Sequence, residues 1–100
     1  MKQLVREVKI TGTGSYLPEK IITNEYLESI IDTNAAWIYE NLGIQERRIA
    51  ADDQATSDLA EKAALNAIEN AGLSVDDIDL IIVATATPDR LAPSTAAIVQ

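Results

Sequence analysis

The sequence contains no cysteine and no histidine among its 100 residues. Disulfide bonds and thiolate chemistry are therefore excluded within the chain, and so is the side chain that most often acts as a general base. A structural zinc site is not expected either, because carboxylates alone rarely form one. We therefore predict that these residues include no catalytic nucleophile, no general base and no metal ligands.

Positive charge is also scarce, with 8 lysine and arginine residues against 16 aspartate and glutamate residues and a formal net charge of −8. Such a chain repels polyanions, so nucleic acid is a poor candidate partner, and solubility is the simpler explanation of the charge. No apolar run approaches the roughly 20 residues that span a bilayer. The first residues also lack the pattern of a signal peptide, so we expect a cytoplasmic protein with no membrane partner.

Two segments have the pattern of β-strands. Residues Val5 to Thr11 alternate β-branched and polar side chains, which predicts a strand that ends at glycines followed by a loop to about Thr23. Residues Leu80 to Ala84 form a continuous apolar run, which is typical of a central strand buried on both faces of a parallel sheet. Residues 44–50 are compatible with either a short strand or an extended loop.

Helical signals fill the space between these segments. Asn24 is a candidate N-cap of a first short helix, and Thr33 or Asn34 can cap a second helix from Ala35 to Leu42 that ends at Gly43. The clearest helix is predicted from about Ser57, as its cap, to Ala71, with Gly72 after it. Its apolar stripe consists of small side chains suited to close packing on a sheet, at positions Leu59, Ala63, Ala67 and Ala71.

The last residues begin another helix. Ser94 is a good N-cap, yet the helix stops after about six residues, whereas isolated helices need about 12–15. Strands alternating with helices indicate the α/β class. A buried central strand also needs neighbours that the sequence does not supply. We therefore predict that residues 1–100 form an incomplete half-domain of a larger protein.

Several short motifs have both a functional and a structural interpretation. The glycines in GTGSYL, Gly12 to Leu17, lack the third glycine and the immediate helix of a dinucleotide site, so we interpret them as turn residues. The paired acids at 52–53 and 76–77 are expected to be solvated turns rather than a catalytic pair. Arg47 and Arg48 can bind a phosphate or form salt bridges with neighbouring acids. For Trp37, core packing is the default and stacking on an adenine ring is the alternative.

Seven segments, in the same order along the chain, resemble the ketoacyl-acyl-carrier-protein synthase III family. They cover nearly all of the sequence and are GTGSYLPE at Gly12 to Glu19, TN at Thr23-Asn24, DTxxxWI at Asp32 to Ile38, GIxERRIA at Gly43 to Ala50, the alanine-rich helix ending in AG, DLIIVAT at Asp79 to Thr85, and PS at Pro93-Ser94. No segment is diagnostic alone, but the ordered set is specific. It does not separate the initiating synthase from relatives that use other acyl donors.

This resemblance implies the N-terminal part of a thiolase-like fold, with two α/β halves in an αβαβα layered arrangement, usually in a homodimer. It implies an acyltransferase of fatty acid biosynthesis, which takes an acyl group from coenzyme A onto a cysteine and condenses it with malonyl-acyl carrier protein. No metal or redox cofactor is implied. The family's cysteine, histidine and asparagine lie beyond Gln100, so the chain alone is expected to be inactive.

The resemblance also implies four site residues in the chain. Trp37 corresponds to the tryptophan that stacks on the adenine of coenzyme A, and Thr33 to a threonine that contacts the same ligand. Asn41 replaces an arginine that serves the coenzyme A phosphates, which weakens the expectation of coenzyme A as donor. Ala92 corresponds to a residue from the partner subunit that closes the acyl tunnel, where an aromatic ring restricts the enzyme to short chains.

Two other functions remain open at this point. A close homologue could accept its acyl group from a carrier protein or another thioester, which Asn41 favours. A non-catalytic α/β interaction module needs no nucleophile, which fits the composition, but it leaves the short last helix unexplained.

Overall fold

The computed structural model describes residues 6–100 of the chain. Within these residues two short strands form one sheet, and the other elements are four helices and one 3-10 turn. In chain order these elements are β1 (Lys20–Thr23), α1 (Asn24–Ile30), α2 (Ala35–Leu42), β2 (Glu46–Ile49), α3 (Thr56–Ala71), the 3-10 turn (Val75–Asp77) and α4 (Thr95–Val99).

The sheet is an antiparallel pair of β1 and β2, in register from Lys20 opposite Ile49 to Thr23 opposite Glu46. Residues 44–50, which were compatible with a short strand or an extended loop, contain strand β2. Strand β1 was predicted as a loop, and that prediction was wrong. The reason is that a four-residue strand is stabilised by its hydrogen-bonded partner, which lies too far along the chain for local pattern to indicate it.

Helix α1 begins at Asn24, the residue that was predicted as its N-cap, so it starts one residue earlier than predicted. Thr23 is the N-cap, and its side-chain oxygen accepts a hydrogen bond from Tyr26 N at 3.2 Å. Asn24 is instead the first helical residue and is buried. Its Nδ2 donates to Ile44 O at 2.7 Å, and its Oδ1 accepts from Arg47 Nη2 at 2.8 Å. Because both ends of this amide are bound to the β2 side, it is unavailable for capping.

Helix α2 matches its predicted bounds. Asn34 is its N-cap, with Oδ1 accepting from Trp37 N at 2.8 Å, and Gly43 follows its end in the left-handed region with φ of 68°. Within residues 6–100, Ile38 on this helix is the most buried apolar side chain, at 5% exposure. Ile38 therefore fixes which face of α2 turns inward and which turns to solvent.

Helix α3 ends at Gly72 as predicted, but it does not begin with Ser57 as a cap. Its N-cap position is Ala55, which has no side-chain oxygen, and Asp58 Oδ2 accepts a hydrogen bond from Ala55 N at 2.7 Å. Ser57 lies inside the first turn, where it is buried and binds Asp89. A serine inside the first turn can use its hydroxyl for a distant partner, and here it does so.

The small side chains of α3 allow close packing, but on a loop rather than on a sheet. A Cβ added to Gly12 would stand 2.6 Å from Ala67 O, and one added to Gly14 would stand 2.3 Å from Ala67 N. Two asparagines of α3 fix the same segment: Asn70 Nδ2 donates to Thr13 O at 2.7 Å, and Asn66 Nδ2 donates to Ser15 O at 3.0 Å. The glycines are therefore required by this close approach and not, as predicted, by a turn.

Neither of the two predicted strands is present in the described part of the chain. Val5 itself lies outside the described residues; residues 6–11 and 80–84 have no regular secondary structure. Val8 and Ile82 are 91% and 82% exposed. A strand needs a neighbour for its backbone N–H and C=O groups, and no segment of residues 6–100 pairs with either run. The apolar run instead lines, with α3, a cavity of about 620 Å³.

Candidate functional site

One face of α2 carries two of the residues singled out from the sequence, and a third lies just before the helix. Thr33 precedes the helix cap, and Trp37 and Asn41 follow it at intervals of four residues. Residues spaced by four lie above one another on a helix surface. Trp37 and Asn41 therefore lie along one line of the helix surface, which we call the α2 face, and Thr33 lies just before the N-cap, outside the helix.

The indole of Trp37 is 53% exposed, so it does not pack into a core formed by residues 6–100. The helix that carries it is held firmly at its start: Asn34 caps it, and Glu28 Oε2 of α1 accepts a hydrogen bond from Ala35 N at 2.9 Å. The backbone of Thr33 is fixed by a 2.9 Å hydrogen bond from its N to Ile31 O. A large aromatic ring is thus presented to solvent on a well-anchored support, which is suitable for stacking on a planar ligand.

Asn41 turns back on its own helix. Its Nδ2 donates to Trp37 O at 2.9 Å, the backbone carbonyl four residues earlier. The last turn of α2 contains no basic residue. An anion on the α2 face would therefore find no positive charge contributed by this helix, which agrees with the weaker phosphate binding expected from an asparagine at this position.

Ala92 lies on a different part of the molecule, in the segment before α4. Ala92 and Leu91 are exposed, and Ser94 Oγ accepts a hydrogen bond from Ala97 N at 3.3 Å, which confirms Ser94 as the cap of α4. Upstream, Thr56 Oγ1 donates to Thr87 O at 2.5 Å. The segment is thus attached to the start of α3 on one side and continuous with α4 on the other.

One contact in this segment could not be found from the sequence. The Asp89 carboxylate accepts two hydrogen bonds from Ser57, from its backbone N at 2.8 Å and from its hydroxyl. The Ser57 hydroxyl is the main cause that lowers the pKa of Asp89 below its ordinary value of 3.8, with smaller lowering contributions from the Ser57 backbone N–H and from the positive charge of Arg90. The sequence indicates only that Ala55 has no side-chain oxygen to cap α3, and it does not indicate Asp89 as the partner.

The remaining charged motifs have structural roles. Arg47 donates to Ile22 O as well as to Asn24, and Arg48 Nη1 donates to Pro18 O at 2.8 Å, so both bind neutral oxygens of the β1 region. Asp77 Oδ2 accepts from Ser74 N at 2.9 Å within the 3-10 turn, as expected of an acidic turn. Residues 6–100 contain no group of three or more side chains able to hold a metal ion. Among them, no helix has both the length and the apolar character to cross a membrane.

Comparisons with known proteins agree with the resemblance. No family model matches the chain. Over 92 residues, or 92% of the chain, it is 58% identical to a beta-ketoacyl-acyl-carrier-protein synthase III of Xanthomonas oryzae pv. oryzae, of which it covers 28%. The crystal structure of 3-oxoacyl-acyl-carrier-protein synthase III from Aquifex aeolicus superposes with a TM-score of 0.85 and 48% identity, over 91% of this chain and 29% of that one.

A priming beta-ketosynthase from the R1128 polyketide biosynthetic pathway also superposes with a TM-score of 0.85, at 32% identity over 91% of this chain and 27% of that one. The structure is therefore an α/β fragment that shares the thiolase-like fold of these synthases, as predicted. Within that class the chain is related by sequence and by fold to beta-ketoacyl-acyl-carrier-protein synthase III, which confirms the resemblance. The chain spans about 28% of the length of the curated relatives it matches.

Proposed function

We propose that the chain forms the N-terminal part of a 3-oxoacyl-acyl-carrier-protein synthase III that condenses an acyl thioester with malonyl-acyl carrier protein in fatty acid biosynthesis. The observation that carries this proposal is the half-exposed indole of Trp37 on the anchored α2 face. It stands where the resemblance expects the adenine of coenzyme A to stack. The 58% identity to a named synthase III supports the same assignment.

In this proposal the described residues bind and orient the acyl donor, and the groups that make and break bonds come from other parts of the protein. Trp37 stacks on the adenine ring and Thr33 contacts the same ligand. A thiolate attacks the acyl thioester and coenzyme A leaves; the malonyl unit then loses carbon dioxide, its α-carbon attacks the bound acyl group, and the thiolate is released. Because the chain has no cysteine and no histidine, we propose that residues 1–100 alone have no condensing activity.

The acyl pocket and the assembly belong to the same proposal. Ala92 is proposed to close the acyl tunnel of the partner subunit in a cytoplasmic homodimer. A methyl group at that position leaves more room than an aromatic ring, and an apolar cavity accepts apolar ligand readily. We therefore propose that the full-length synthase, meaning the complete protein that contains this chain, accepts medium or long acyl groups.

A second candidate is a condensing enzyme whose acyl donor is an acyl carrier protein or another thioester. The observation that favours it is Asn41, a neutral side chain bound to its own helix where the resemblance expects an arginine for the phosphates of coenzyme A. A structure named as a priming beta-ketosynthase of a polyketide pathway has the same fold over the chain, so the fold alone does not select the first candidate.

The experiment that tests the proposal is a condensation assay of the full-length synthase with malonyl-acyl carrier protein and, in parallel, acyl-coenzyme A or acyl-acyl carrier protein. Product from acyl-coenzyme A supports the first candidate, and product from acyl-acyl carrier protein alone supports the second. Product from neither donor would favour a non-catalytic module. Residues 1–100 incubated with radiolabelled acyl-coenzyme A should acquire no thioester-bound label, and stable labelling would overturn their proposed inactivity.

A further inference from the structure

The first turn of helix α3 is capped by a side chain that is distant in the sequence. The local N-cap position, Ala55, offers no side-chain acceptor to the free N–H groups of the first turn. Asp89, which follows 32 residues after Ser57, supplies the acceptor: its Oδ1 takes the backbone N–H of Ser57 at 2.8 Å. Its other oxygen takes the Ser57 hydroxyl. A carboxylate at this end of a 16-residue helix is also favoured by the helix dipole.

This contact fixes the segment that carries Ala92. Asp89 is three residues before Ala92, and three residues of chain span at most about 11 Å. Downstream, Thr95 is 4% exposed where α4 packs on α3. Between these two anchors Leu91 and Ala92 are exposed. The position of Ala92 is therefore set by Asp89 on one side and by the start of α4 on the other.

We propose that Asp89 is a positioning residue that holds Ala92 in place at the end of the acyl pocket and thereby sets acyl chain-length selectivity. This inference rests on the proposed function, because Ala92 matters to selectivity only if it closes an acyl tunnel. The carboxylate of Asp89 touches Ser57 and acts on selectivity through the backbone between Asp89 and Ala92. Without it the nearest upstream attachment of the segment is the hydrogen bond from Thr56 to Thr87 O, five residues before Ala92, so the end of the pocket loses part of its fixed position.

The test measures kcat/KM of the full-length synthase for a series of saturated acyl-coenzyme A or acyl-carrier-protein donors, whichever the enzyme uses. Each buried methylene is worth about fourfold in binding when the pocket end is fixed. In Asp89→Ala we expect the discrimination between adjacent chain lengths at the upper limit to fall from about fourfold towards no discrimination. Asp89→Asn and Ser57→Ala, which keep part of the contact, should show smaller losses in the same direction, and Ser57→Thr should retain the wild-type profile.

A matched control is available within the chain. Asp77 accepts hydrogen bonds from Ser74 N and Ser74 Oγ, the same pair of groups, but within a local turn remote in sequence from Ala92. Asp77→Asn should leave the chain-length profile unchanged. If Asp89→Ala does not fold, Asp89→Asn and Ser57→Ala decide the outcome.

The experiment distinguishes a failure of the positioning role of Asp89 from a failure of the proposed function. An active wild-type enzyme whose chain-length profile is the same in every Asp89 and Ser57 variant overturns the positioning role while leaving the proposed function intact. A profile altered equally by Asp77→Asn also overturns it, because a general loss of stability then explains the effect. A wild-type protein that condenses no acyl thioester overturns the proposed function itself, and the selectivity role with it.

Discussion

Gly14 lies so close to Ala67 that an added Cβ would stand 2.3 Å from the Ala67 backbone nitrogen. The atoms nearest to this position belong to the backbone of α3, which cannot move aside as a flexible side chain can. The segment around Gly14 therefore tolerates no side chain on the face that meets the helix.

Gly14→Ala is expected to destabilise the full-length synthase by about 1–3 kcal/mol, the usual cost of forcing extra atoms into a packed contact. Chemical denaturation followed by circular dichroism measures this change. Ser15→Ala is the control, because the carbonyl of Ser15 that binds Asn66 is kept and the side chain is exposed. Equal stability of Gly14→Ala and the wild type would show that the close approach is absent in solution.

Trp37→Ala should weaken coenzyme A binding by about 1–3 kcal/mol, the range found when an aromatic partner of a stacked base is removed. Coenzyme A should also quench the fluorescence of Trp37, the single tryptophan of the chain. Tyr39 is a matched control on the same helix, since it is also 53% exposed but lies two residues away and so on another face. Equal losses in Trp37→Ala and Tyr39→Ala would argue against stacking at Trp37.

Asn41→Arg should tighten coenzyme A binding by about 1 kcal/mol, the upper range for an exposed ion pair. The gain comes from a guanidinium that can leave the helix and reach a phosphate, whereas the amide of Asn41 is bound to Trp37 O. Titration calorimetry at low and high salt checks the electrostatic origin, because the gain should shrink as salt increases. Asn41→Gln is the neutral control, and an equal gain in that variant would contradict a role for charge.

Ala92→Phe should shorten the longest acyl chain that the full-length synthase accepts. The ring fills space left by the methyl group, and each methylene excluded costs about 0.8 kcal/mol of binding. A series of acyl donors, assayed for kcat/KM in both proteins, measures the shift. Leu91→Phe is the control, because Leu91 is fully exposed beside it. A wild-type preference for acetyl groups that Ala92→Phe leaves unaltered would exclude the proposed pocket.

Asp89 should give the protein a pH-dependent stability. Its pKa is lowered in the folded state, chiefly by the Ser57 hydroxyl, so its contribution is complete above the ordinary value of 3.8 and is lost as the pH falls through the lower folded pKa. The difference in unfolding free energy between the wild type and Asp89→Asn should therefore be constant near neutral pH and shrink in acid. Denaturant titrations across this range measure it. Ser57→Ala should reduce the pH dependence, and an unchanged slope in that variant would contradict the assigned cause.

Local signals predicted the elements whose determinants are adjacent in sequence. Helix α2 has its cap, Asn34, and its terminating glycine, Gly43, within one ten-residue stretch, and both act as predicted. Elements that depend on distant partners were missed or misplaced. Strand β1 pairs with β2, and Asn24 binds Ile44 and Arg47, about 20 residues further along the chain.

The site residues also divide into those that local signals predict and those that depend on distant partners. The alignment of Trp37 and Asn41 follows from helical spacing, once α2 is predicted. Whether Trp37 faces the core depends on which side of α2 packs, and the burial of Ile38 decides that. The contact of Asp89 with Ser57 joins the first turn of α3 to the segment before α4, 32 residues away, and has no periodic signal. The apolar run at 80–84 was predicted as a strand because its composition indicates burial, but composition alone does not supply a hydrogen-bonding neighbour.

The two asparagines that hold residues 13 and 15 also determine how far the segment can follow α3. Asn66 and Asn70 are separated by about 6.0 Å along the helix, whereas two residues of an extended chain advance about 6.6 Å. The spacing along the helix and the spacing along the extended segment therefore nearly match from residue 13 to residue 15, and the mismatch grows further along the chain. Tyr16, the next residue, is contacted instead through its hydroxyl by two long side chains, with Lys62 Nζ at 3.3 Å and Gln54 Nε2 at 3.4 Å. Sliding by one residue would turn the carbonyls away from the amides, so the segment and the helix share a single alignment.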